Sequence, residues 1–259
     1  MADKWNNGAR SVPMAGSRVD VTIDQGLRTY MLKVYNLMAA GLAITGVAAY
    51  GLFMLATTTD PALSVGTLNG VMLTSLGATL YTSPLKWVVM FAPLAMVFFL
   101  SFRVDKMSVP AAQATFWAYA AMVGASISTI FLVYTQESIV QVFFITAATF
   151  GALSLWGYTT KKDISAWGSF LFMGVIGILL ASIVNIFLGS DALGFAISVI
   201  GVLVFAGLTA YDTQQIKEMY YEGDGSVVMG RKAIMGALRL YLDFLNMFMF
   251  MLQLFGNRE

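Results

Sequence analysis

The sequence predicts an all-α integral membrane fold, a bundle of seven transmembrane helices, on three observations. Of its 259 residues, 58% are hydrophobic and only 11% charged, where a soluble domain carries roughly 25% charged residues. The chain divides into seven apolar stretches close to the ~20 residues of helix that cross a bilayer core. Finally, Lys and Arg gather in every second connection, as they do in the cytoplasmic loops of membrane proteins.

The spans fall near 34–57, 86–102, 110–134, 138–160, 166–189, 192–213 and 234–255. Lys4, Arg10, Arg18, Arg28 and Lys33 precede or open the first. Arg103 and Lys106 follow the second, Lys161 and Lys162 the fourth, and Lys217, Arg231 and Lys232 the sixth. The alternate connections hold only Lys86, so the N-terminus is expected in the cytoplasm. Residues 1–32 are polar, contain no signal-peptide core, and read as a disordered cytoplasmic tail ahead of a transmembrane domain at 33–259. Residues 61–85 are interrupted by Gly, Ser, Thr and Asn. As an eighth crossing they would put Arg103, Lys161 and Lys162 outside, so they read as an outer loop at the interface. Pro110 suits the first turn of its helix. Pro93 falls inside the second span, where proline removes a backbone hydrogen bond and kinks the helix, either as a static bend or as a hinge.

Composition also excludes chemistry. Without cysteine there is no disulfide, thiolate metal site or thiol catalysis. Without histidine the usual general base and near-neutral pH sensor are missing. No enzyme is expected, and a net charge of +1 gives no nucleic-acid footprint. Any pH response falls to carboxylates.

Ionisable residues inside membrane helices cost about 2.5–3.5 kcal/mol each on insertion scales and mark functional sites. Arg239 and Asp243 lie four apart on one face of the last span, and Asp212 stands near the end of the sixth. The midpoint of 212 and 243 falls in the glycine-rich turn around 222–232. Each acid therefore sits about 12–14 Å from the turn, at similar depth on adjacent antiparallel helices. Two carboxylates sharing a low-dielectric site do not both ionise freely and exchange protons in two coupled steps. Such hard oxygen ligands suit Ca²⁺, which makes Asp212 and Asp243 candidate metal ligands. Tyr211 and Tyr241 are candidate donors to the acids. Arg103 closes the second span on the same side, as an anchor or as a latch.

The segment from Tyr211 to Lys217 (YD–xx–QIK) and above all ALRLYLDFLNMFMFMLQLFG at 237–256 resemble the Bax inhibitor-1 family, also called transmembrane Bax-inhibitor-motif proteins. The resemblance covers essentially all of the chain after the tail, and the short loops resemble the bacterial branch, implying an inner-membrane location. It implies a seventh helix surrounded by the other six and a pH-sensitive Ca²⁺ leak, with Ca²⁺ as permeant ion rather than cofactor. The family's aspartate pair maps onto Asp212 and Asp243, and its closing arginine onto Arg103. Some bacterial members place a glutamate in the second helix; WVVMFAPLAMVFF here has none, and Arg239 competes with Arg103 for the pair. The alternatives are a regulator of a membrane protease or another membrane-protein partner, and a proton-coupled transporter.

Overall fold

A computed structural model describes residues 16–258, with side chains from Gln25 onward. The elements are α1 (Gly16–Ala56), a two-stranded hairpin of β1 (Gly66–Leu68) and β2 (Val71–Leu73), and the short α2 (Ser75–Tyr81). Then follow α3 (Leu85–Arg103), α4 (Val109–Ile127) with a 3₁₀ extension to Leu132, α5 (Gln136–Thr159), α6 (Trp167–Leu188), α7 (Asp191–Glu218) and α8 (Ser226–Phe255). Seven of the described helices, all but α2, are long and apolar enough to cross a membrane. Their outer faces are those of a protein dissolved in lipid. Phe102, Phe187 and Ile186 are each more than three-quarters exposed, which water would not tolerate in such number.

The last helix is the centre. α8 packs directly on α1, α4, α5 and α7, while α3 leans on α4 and α6 on α7 to complete the surround as an outer layer. Ala237, Leu240, Tyr241, Met247 and Leu252 of α8 have no exposed surface. Small residues let backbones approach in lipid, where apolar burial alone drives no association. A Cβ on Gly124 of α4 would overlap the Thr45 carbonyl of α1 and stand 2.8 Å from the Ala48 Cβ.

Helix starts follow local capping chemistry. Ser108, Thr135 and Ser190 accept from Ala111, Ser138 and Leu193 at the heads of α4, α5 and α7, each satisfying a backbone donor that a helix start leaves free. Pro110 occupies the first turn of α4. α3 continues through Pro93 from Leu85 to Arg103, and apart from Leu100 none of its residues is fully buried.

Two expectations are corrected. The first helix begins at Gly16, not near residue 34, so part of the segment read as tail is helical. Its polar face hides a packed one: Tyr30 and Met31 are 3% exposed, and the Tyr30 ring lies 5.7 Å from that of Tyr220. Residues 1–15 of the expected tail lie outside the described residues. The last helix likewise begins at Ser226, not near 234, and runs past the end of α7. The connection folds back along it, with Lys232 donating to the Met219 carbonyl and pairing with Asp224.

The segment at 61–85 is an ordered cap, not a crossing. Asn69 and Gly70 both have positive φ (49° and 80°), the pattern of a type I′ hairpin turn. The Asn69 amide donates to the Leu132 carbonyl, and Thr74 donates from its backbone to Ala56. Tyr81, buried, bonds the Ser128 hydroxyl at 2.9 Å, and burial pushes its phenol above the usual tyrosine range.

Thr45 joins three helices inside the bundle. Its hydroxyl is within bonding distance of the Gly41 and Ala120 carbonyls (3.0 and 2.9 Å) and of the Tyr241 hydroxyl (2.6 Å). Thr45→Val keeps the shape and leaves the fully buried Tyr241 hydroxyl without a partner. The expected cost is about 1–3 kcal/mol, read as a lower melting temperature of the detergent-solubilised protein. An unchanged melt refutes the structural role of this junction.

Candidate functional site

α7 and α8 run antiparallel with extensive packing, and their sequences place one carboxylate from each at the same level. Asp243 is 4% exposed, and its Oδ2 is buried without a hydrogen-bond partner. Asp212 is partly buried. The two carboxyl groups face each other across the α7–α8 contact. Two carboxylates need a proton between them to bond, since each ionised group is an acceptor alone.

The cation beside the pair is Arg239, one turn before Asp243 on α8. Its Nη1 lies 3.8 Å from Asp212 Oδ1, and the side chain is nearly half exposed. The guanidinium therefore faces the pair from the exposed side while Asp243 closes the buried side. Arg103 is not brought to the pair: it is exposed at the end of α3 and makes no ion pair with a described residue. Tyr241 is turned away, its hydroxyl bonded to Thr45. Tyr211 faces α6, where a Cβ on Gly168 would stand 2.7 Å from its ring, and it donates to neither acid. The two tyrosines are thus near the acids in sequence but on other faces of their helices, because the step of one residue from Tyr211 to Asp212 and of two from Tyr241 to Asp243 rotates the side chain by roughly 100° and 200°.

Two residues that the sequence did not single out belong to this end of the bundle. Gln214 grips the connection before α6 with both ends of its amide, accepting from Ile164 N at 3.0 Å and donating to the Lys162 carbonyl at 2.9 Å. Tyr30 of α1 places a buried, unpartnered hydroxyl within the electrostatic reach of Arg239 and Asp224. The basic residues of this end also bind protein: Lys217 donates to the Tyr158 carbonyl and Arg231 to the Met107 carbonyl. In the same connection, Asp163 accepts from Ser165, and these bonds hold its carboxyl below the usual carboxylate range.

Among the described residues no cluster of three or more acidic side chains could hold a metal ion. Ca²⁺ takes 6–8 oxygen ligands. The pair supplies two carboxyls with a guanidinium beside them, fewer oxygen ligands than a resident Ca²⁺ takes.

Comparison with known proteins agrees with this architecture. A family model described as "Inhibitor of apoptosis-promoting Bax1" matches residues 27–259. An uncharacterized protein of Caulobacter vibrioides is 46% identical over 258 residues, covering 98% of this chain and 99% of that one. An uncharacterized protein of Rickettsia prowazekii is 46% identical over 240 residues, covering 92% and 93%. The inner membrane protein YbhL of Escherichia coli K12 is 43% identical over 236 residues, covering 90% and 94%. With seven candidate spans and a family match running from Leu27 through the whole bundle, the chain belongs to the Bax inhibitor-1 family.

Proposed function

We propose that this protein is a pH-sensitive Ca²⁺ leak of a bacterial inner membrane, with its N-terminus in the cytoplasm and the Asp212–Asp243 pair as its gate. The observation that carries the reading is the pair itself: two carboxyls facing each other, one with a buried unpartnered oxygen, and one guanidinium 3.8 Å away. This arrangement suits one shared proton and one net negative charge. The proton makes a bond between α7 and α8, and the charge holds Arg239.

Changing the proton count disturbs both. A second proton removes the charge that Arg239 faces; losing the first sets two negative charges together in a low-dielectric site. Either change loosens α7 against α8 at the basic end of the bundle. There α3, packed mainly on α4 and carrying Pro93 and the exposed Arg103, is the least buried of the seven spans. Arg239 is the cation that reads the pair in this conformation, and Arg103 is a latch only if α3 moves. The inner-membrane placement draws on the printed name of the Escherichia coli relative, and the orientation on the basic loops.

The test is Ca²⁺ flux into sealed liposomes containing the purified protein, measured from pH 5 to 8 beside Asp212→Asn and Asp243→Asn. The expected result is a pH-dependent flux in the wild type that loses its pH dependence in both variants. Folded wild type that passes no Ca²⁺ at any pH would overturn the leak and favour the partner-regulating reading. Flux whose pH profile survives both substitutions would leave the leak and remove the sensor.

A further inference from the structure

Around the central helix, α1 packs on α4 and α8, and α5 on α7 and α8, with little contact between α1 and α5 themselves. A hydroxyl bridge crosses the gap: Tyr35 Oη lies 2.6 Å from Ser154 Oγ, which lies 2.8 Å from Thr213 Oγ1. Around that bridge runs a groove of about 520 Å³, walled by Met31, Leu32, Met38, Phe150 and Leu155. Because Tyr35 and Ser154 bond each other, the remaining wall is apolar.

Gly151 lines this groove, and a Cβ added there would meet nothing within 4 Å. Glycine weakens a helix relative to alanine, and no neighbour here requires it. What it leaves is depth.

The basic end of the groove carries charge. Arg28 lines it and is exposed. Lys217 stands beside it, 5.5 Å from the ring of Tyr158, another lining residue. Neither cation is ion-paired with another described side chain. From Arg28 to Ala56, α1 rises about 42 Å at ~1.5 Å per residue, close to the roughly 40–45 Å of a bilayer with its head-group regions. A cation at that level, above an apolar groove between two membrane helices, has the chemistry that binds anionic lipid head groups.

We propose that the α1–α5 groove binds an anionic phospholipid of the surrounding bilayer, one acyl chain lying over Gly151 and the phosphate on Arg28. The site stands independently of the aspartate gate. The full chain, purified in detergent and stripped of lipid, is titrated with phosphatidylglycerol or phosphatidylcholine of identical acyl chains and read by native mass spectrometry. The wild type is expected to bind phosphatidylglycerol at least tenfold more tightly. Arg28→Gln should abolish that preference. Gly151→Leu should weaken both lipids at least tenfold, whereas Gly177→Leu, on α6 with equally open surroundings, should bind as wild type. If Gly151→Leu melts far below wild type without lipid, Leu155→Trp on the exposed wall takes its place with the same expected loss. Equal binding of the two lipids by the wild type, or undiminished binding by the groove-filling variants, overturns the proposal.

Discussion

Asp243→Leu is expected to melt several degrees above the wild type in detergent. The carboxyl at 243 is buried and one of its oxygens has no partner, a situation that costs about 1–3 kcal/mol. It also faces a second carboxyl. Removing it leaves Asp212 with Arg239 alone, a simple ion pair at 3.8 Å with nearly half the cation exposed. Buried charges replaced by well-packed apolar groups are commonly neutral or stabilising, and a site kept at the expense of stability is the usual mark of function. Asp243→Asn removes the charge while retaining a polar amide and should move the melt the same way by less. A lower melting temperature for the leucine variant would show instead that the bond the pair makes between α7 and α8 outweighs the cost of burying the acid.

The largest loss of stability is expected at Gly157, whose contact on α7, Ala210, is two residues from Asp212. On α5 it lies against the backbone of Ala210 on α7; a Cβ there would overlap the Ala210 carbonyl oxygen and stand 3.0 Å from its Cα. Backbone cannot yield as a side chain can, so two helices must separate. Gly157→Ala should cost about 1–3 kcal/mol, the usual penalty for overpacking, and Gly157→Leu should abolish the monodisperse folded species in size-exclusion chromatography. Gly151→Ala, six residues earlier on the same helix with open space around it, should instead gain about 0.5–1 kcal/mol, the helix-propensity difference. Similar melts for the two alanine variants would refute the close α5–α7 approach.

The spans were legible because lipid demands long apolar helices. The meeting of Asp212 with Asp243 could be anticipated because both positions are equidistant from one glycine-rich turn. Contacts that depend on helix rotation were not legible. Tyr241 bonds Thr45 and not an acid because its side of α8 faces α1 and α4. Arg239 and not Arg103 stands at the pair, since its place on α8 is tied to Asp243 by one helical turn, while Arg103 depends on where α3 rests. Hydropathy also hid the early starts of α1 and α8, whose outer turns pack on Tyr220 and Val109 through single faces. The hairpin had a readable signal in Asn69–Gly70, but its strands are only three residues each.

The order of synthesis gives the central position of α8 a further meaning. A ribosome delivers α1 through α7 before the segment they all enclose, so a nascent chain ending near residue 225 has walls and no pillar. Faces meant for Tyr241 and Met247 would stand open, and with them the hydroxyl of Thr45. The final residues then fasten the assembly. Thr135 donates from its backbone to the Asn257 carbonyl, and Asn257 donates from its own to the Ser138 hydroxyl. Translation of α8 is thus the step that fills the centre of the seven-helix bundle. A premature stop within α8 would leave those faces without the helix they pack on.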